Sequence, residues 1–100
     1  KSSNKSAPPQ EDYKARKARD KAIRKERNAV ERLEKKVVAL EEKIGVHNEA
    51  MAAVDPSDRA KVTELAYAFE AVQKEMQEVV NQWERAVEEL ERLQTEAAST

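Results

Sequence analysis

Cysteine is missing from this sequence. Glycine, histidine, proline and the aromatics are scarce, at one glycine, one histidine, three prolines and four aromatic residues in 100. Each shortage closes a class of function. Without cysteine there is no disulfide framework and no thiolate chemistry, a usage that fits a reducing cytosol. One glycine cannot build a phosphate-cradling loop. His47 has no second imidazole, cysteine or carboxylate cluster with which to hold a metal. Carboxylates are plentiful, yet none is paired across a cleft for proton transfer. The low content of threonine, isoleucine, tyrosine and turn glycines argues against a sheet. No apolar run approaches the ~20 residues that a helix needs to span a bilayer.

What is present is charge and the residues of long helices. Charged and hydrophobic residues each make up 39% of the chain, which leaves little material for a globular core. The usage is dominated by Ala, Glu, Lys, Leu, Arg and Val, as expected of helices that bury a narrow seam. The net charge of −1 conceals two unlike halves. Residues 1–36 hold 13 basic and 6 acidic residues, +7, and residues 37–100 hold 6 basic and 14 acidic, −8. The opening run Lys1-Ser2-Ser3-Asn4-Lys5-Ser6-Ala7-Pro8-Pro9-Gln10 has no initiator methionine and reads as a solvated linker. It leads us to expect a C-terminal piece of a larger protein.

From Ile23 onward the apolar residues keep a heptad beat. Ile23, Val30, Val37, Ile44 and Met51 occupy one position, and Leu33, Leu40, His47 and Val54 the other. A second seam runs through Val62, Phe69, Met76, Trp83, Leu90 and Ala97, with Leu65, Val72, Val79, Ala86 and Leu93 beside it. The two registers do not join, since Met51 and Val62 are not a whole number of heptads apart and Pro56 lies between them. Asp55-Pro56-Ser57-Asp58 supplies an aspartate cap, a proline at the first helical position and an acid in the first turn, so the spacing predicts a second helix from Pro56. So short a connection folds the helices back on one another. The expected fold is all-α, a two-helix antiparallel coiled-coil hairpin, with a linker at 1–10, helices at 11–53 and 56–97, a turn at 54–57 and a disordered tail at 98–100. Gly45 inside the first seam marks either a break or a tolerated glycine. His47, Phe69, Trp83, Met51 and Met76 are spaced as seam fillers. Ala66, Val80 and Val87 widen one flank of the second helix, to pack on the first or to dock the rod elsewhere.

Eight cations against two acids lie between Lys14 and Arg27. A helix N-terminus carries roughly half a positive charge, so this placement does not serve stability. The candidate nucleic-acid-binding residues are Tyr13, Lys14, Arg16, Lys17, Arg19, Lys21, Arg24, Lys25 and Arg27. Tyr13, Lys17, Arg24 and Arg27 share one row with Asp20 between them and Arg16 beside them, while Ala15, Ala18 and Ala22 let the helices approach closely. Such a row suits a phosphate backbone, where each contact releases condensed counterions whatever the base sequence. The opposing reading is self-neutralisation. In a hairpin this end lies beside Glu84, Glu88, Glu89, Glu91 and Glu96.

The Tyr13-Lys14 opening, the Leu33-Glu34 and Leu40-Glu41 beats, the Asp55-Pro56 turn and the segment Asn81-Gln82-Trp83-Glu84-Arg85-Ala86-Val87-Glu88-Glu89-Leu90 together resemble the C-terminal coiled-coil domain of ABC-F ATPases, especially the Uup type. The likeness covers residues 11–93. The sequence departs from that pattern in having Asn81-Gln82 before the tryptophan and an unusually basic run after Lys14. The resemblance implies a cytoplasmic protein with two tandem ATP-binding cassettes and a role on DNA or at the ribosome. Its ATP and Mg²⁺ would be bound outside this chain, which needs no cofactor and no metal of its own and is not itself an enzyme. Tyr13, Lys14 and Trp83 carry the motif.

The expected function is therefore a nucleic-acid-contacting arm, binding DNA or ribosomal RNA through phosphates, as a monomeric hairpin with no membrane contact and with its own ATPase cassettes as a further partner. A protein-interaction or spacer rod without nucleic-acid contact is the alternative, and an arm that clasps transfer RNA is a third reading.

Overall fold

A computed structural model describes residues 9–99. Two helices, α1 (Pro9–Ala53) and α2 (Arg59–Ser99), pack against each other, and no strand occurs among the described residues. At ~1.5 Å per residue the 45 residues of α1 run about 68 Å. The expected all-α hairpin is the fold observed.

The helices are longer at their outer ends than the sequence led us to expect. Pro9 and Gln10, assigned to the linker, belong to α1. A proline is tolerated there because its missing N–H falls among those that no helix satisfies internally. Residues 1–8 and Thr100 lie outside the described residues. Ala98 and Ser99, assigned to the tail, are helical, and the Ser99 hydroxyl donates to the Glu96 carbonyl at 3.1 Å.

At the tip the difference is in the cap. The second helix was expected from Pro56 with Asp55 as its cap, but α2 begins at Arg59. Asp55 instead closes a side-chain turn, its Oδ1 accepting from the Ser57 N–H at 3.0 Å and the Ser57 hydroxyl at 2.8 Å. These donors hold its carboxyl below the ordinary value of 3.8. The Asp58 N–H then donates to the Asp55 carbonyl at 3.0 Å, so Pro56 serves a β-turn rather than a helix start. Asp58 takes over the capping. Its Oδ1 accepts from the Lys61 N–H at 3.2 Å, and its carbonyl accepts the first helical bond from Val62.

Between the helices lies a single file of buried side chains. Leu33, Leu40, Val72, Val79 and Ala86 form the core, with Leu93 also buried nearer the base. All six come from one of the two heptad positions, which we call the Leu33 line. The other, the Val30 line, is only half-buried: Ile23, Val30, Val37 and Ile44 on α1, and Phe69, Met76, Trp83 and Leu90 on α2. In an antiparallel pair like positions of the two helices fall on the same side. The hairpin therefore has a closed side along the Leu33 line and an open side along the Val30 line. Glu26, Ala29, Leu33, Gln82, Ala86 and Glu89 meet in one groove on the closed side. His47 is half-buried, as a seam residue should be, whereas Met51 is 37% exposed and Ala50 is half-buried beside it. Of the expected flank, Val80 and Val87 are half-buried but Ala66 is exposed.

α1 passes through Gly45 without a break, and a Cβ placed there would meet nothing within 4 Å. Gly45→Ala is therefore expected to stabilise the hairpin by about 1 kcal/mol through helix propensity alone. Asp58→Ala is expected to destabilise it by about 1 kcal/mol through loss of the cap. Thermal unfolding followed by circular dichroism checks both, since ~1 kcal/mol corresponds to about 4–8 °C in a domain of this size. A melting temperature lowered by the alanine at 45 would show that the glycine serves the hairpin's own packing.

Candidate nucleic-acid interface

All nine candidate residues lie on α1, in the half of the helix nearest its N-terminus. They are not equivalent. Tyr13, Lys17, Arg24 and Arg27, with Asp20 among them, follow one another at alternating three- and four-residue steps, the stripe that adjoins the Val30 line on the open side. Tyr13, Arg16, Lys17 and Asp20 line one shallow groove of about 270 Å³. The Lys17 ammonium stands 5.7 Å from the Tyr13 ring centroid, within range of a cation–π contact. Tyr13 itself is 57% exposed. Lys14, Lys21 and Lys25 lie further round the helix, on its outer surface, and all three are exposed. Arg19 stands apart. It occupies the Leu33 line, is half-buried, and lines the cleft between the helices at the base together with Leu93, Glu96 and Ala97.

Seven of the eight cations between Lys14 and Arg27 are thus exposed. The acids expected to neutralise them are partly committed elsewhere. The Arg92 Nε donates to the Glu89 Oε1 at 2.9 Å, its two terminal nitrogens donate to Glu89 and Glu96, and all three bonds stay within α2. Arg92 holds the Glu89 carboxyl below its ordinary value, and the two glutamates raise Arg92. Glu84, Glu88 and Glu91 are exposed. Arg19 apart, no cation of α1 forms an ion pair with a carboxylate among the described residues. Among the polar contacts that cross between the helices is the Trp83 Nε1–H donating to the Glu34 Oε2 at 3.3 Å. It lies on the open side and ties the motif tryptophan of α2 to α1.

Sequence reasoning did not follow the cationic stripe far enough. At the same spacing it continues beyond Arg27 as Glu31, Glu34, Val38, Glu41 and Gly45, so one line on α1 is basic at the base and acidic toward the tip. The signal was the alternation of steps, which runs on unchanged where the charge reverses. No group of three His, Cys, Asp or Glu placed to hold a metal ion occurs among the described residues, and no helix is long and apolar enough to cross a membrane.

Residues 21–88 match the family model of the ABC transporter C-terminal domain. No curated protein and no solved structure matches the chain. The matched segment includes the Asp55-Pro56 turn and Trp83. It begins after Tyr13 and the first four cations of the basic run, Lys14 among them.

If the exposed cations make no internal contact that holds the fold, reversing them should leave the hairpin intact. K17E/R24E/R27E is expected to keep its helical spectrum and to melt within about 0.5 kcal/mol of the parent, the usual range for surface substitutions. Circular dichroism at low protein concentration checks this. A cooperative loss of several degrees would mean that these cations serve the fold.

Proposed function

The chain belongs to the ABC transporter C-terminal domain family, and from that premise we propose that it is a nucleic-acid-contacting arm of a cytoplasmic ABC-F ATPase. As a C-terminal domain of an ABC protein it is not itself a catalytic cassette. On this reading ATP and Mg²⁺ are bound and used by cassettes outside this chain, and the hairpin extends their reach to a polyanion, DNA or ribosomal RNA.

One observation carries the reading. Seven exposed cations crowd within 14 residues of one helix, unpaired among the described residues. Lysine and arginine in that arrangement neutralise phosphates and release counterions, which gives affinity without base readout. The row suits a curved or irregular backbone, because long side chains radiate from both the open side and the outer surface. Tyr13 adds an exposed ring against which a base or a sugar can lie. The spacer reading lacks comparable support, since a rod needs no cluster of exposed cations on one helix.

Fluorescence anisotropy of labelled duplex DNA and of structured RNA, titrated with the chain at several salt concentrations, tests the proposal. Binding is expected to weaken steeply with salt, with a log–log slope near −0.9 for each phosphate neutralised on duplex DNA. K17E/R24E/R27E is expected to lose at least tenfold in affinity and to show a shallower slope. Inertness toward both polymers at low salt would leave the spacer as the function.

A further inference from the structure

The stripe on α1 that begins with the cations is antisymmetric in charge about Ala29. Residues equidistant from Ala29 in the two directions are Arg27 and Glu31, Arg24 and Glu34, and Lys17 and Glu41. Each pair joins a cation to an acid. In the pair between these, Asp20 is matched with Val38, and the outermost pair is Tyr13 with Gly45. These ten residues share one straight line because the seam beside them keeps the same heptad repeat.

Charge antisymmetry about one point is what a two-fold interface requires. When a surface packs on its own copy, residue i meets residue j and j meets i, so every cation on one half finds its acid on the partner's other half. We propose that two copies of this chain associate through this stripe, α1 against α1, antiparallel, with the two-fold axis between Arg27 and Glu31, level with Ala29. Three charge pairs then form twice. The base of one hairpin then lies near the tip of the other, and the half-buried Val30 line loses part of its remaining contact with water.

Two features that the hairpin itself does not explain fall into place. Gly45 has no neighbour within 4 Å of a Cβ position and no internal contact that requires a glycine. Tyr13, 57% exposed, is the residue that arrives there from the second copy. The glycine leaves a shallow seat for the ring. Glu34 gives one carboxylate oxygen to Trp83 and keeps the other for the arriving Arg24. Glu31 and Glu41 are exposed and form no ion pair among the described residues.

The second helix limits the contact to α1. On the same side α2 presents Glu70, Glu84 and Glu91 against one cation, Arg59 at its first position, so two copies of α2 repel. The occupant is thus a second copy set along one helix rather than a full face-to-face bundle. This departs from the monomeric hairpin expected from the sequence.

Sedimentation velocity on the whole chain at rising concentration tests the proposal. At low salt a concentration-dependent dimer is expected, which about 0.5 M salt dissociates by screening. K17E/R24E/R27E and E31K/E34K/E41K are each expected to be monomeric, with helical spectra retained. Mixed one to one they should form a heterodimer at least tenfold tighter than the parent pair. Gly45→Leu should weaken the parent dimer at least fivefold without unfolding the hairpin. A parent chain that stays monomeric throughout, a dimer indifferent to both reversals, or a mixture that does not pair overturns the proposal.

Discussion

α1 and α2 are held together along one line of side chains from each helix. In this hairpin one heptad position is buried and the second is left half-wet, so the six buried residues of the Leu33 line are the centre of the cohesion. The leucines and valines among them are worth roughly 1.5–3 kcal/mol each before conformational entropy is counted, which suffices for a rod but leaves nothing with which to enclose a cavity. Such a seam tolerates no slip. Displacing α2 by one residue would turn Val72, Val79 and Ala86 away from Leu33 and Leu40. The tip sets the register, because the Asp55 turn and the Asp58 cap fix where the second helix starts relative to the end of the first.

The seams and the reversal were legible because three- and four-residue spacing is a strong signal, and the Asp55-Pro56 step cannot continue a helix. The choice of cap was not legible. Two aspartates three residues apart both carry cap chemistry, and proline has the same φ preference at a helix start as at the second position of a β-turn. Backbone donors decided it, with Ser57 claiming Asp55 and Lys61 left for Asp58. The inequality of the two lines was also hidden. Ile23, Val30 and Val37 read as equal partners of Leu33 and Leu40, yet only the latter are buried. The flanks supply the difference. On the closed side Glu75 and Glu89 lie half-buried over the core with their stems along it, whereas the open side is bordered by the shorter Val80 and Val87.

Tyr13, Lys17, Arg24 and Arg27 fall on one face of α1 because a continuous helix fixes by spacing which residues share a face. Arg19 belonged to the same list by charge but to the seam by position, and position prevailed. Whether the glutamates of α2 would quench the row depended on side-chain competition that composition does not express. Arg92 lies three residues after Glu89 and four before Glu96, close enough to hold both within its own helix. An intrahelical pair needs no partner helix to be brought into register, so it forms wherever the spacing allows. The acids that remain are too exposed for a pair across the seam to be worth much.

On the two proposals together, Lys17, Arg24 and Arg27 serve both a phosphate backbone and a second copy, and they cannot serve both at once. The balance between the two uses follows from how each stores its free energy. Self-association trades three matched pairs, formed twice, for their separate hydration, and its strength is bounded because the stripe has ends. A polyanion offers a continuous line of phosphates, and every neutralised phosphate releases counterions, so its hold grows with the number of cations engaged. Lys14, Lys21 and Lys25 lie off the stripe and stay available when two copies are joined. A dimer therefore keeps a weakened affinity for polyanions, and a backbone drawn first to those outer lysines lies close enough to compete for the stripe. Salt weakens both associations. The concentration of nucleic acid, which acts on only one of them, then decides which partner the cations take.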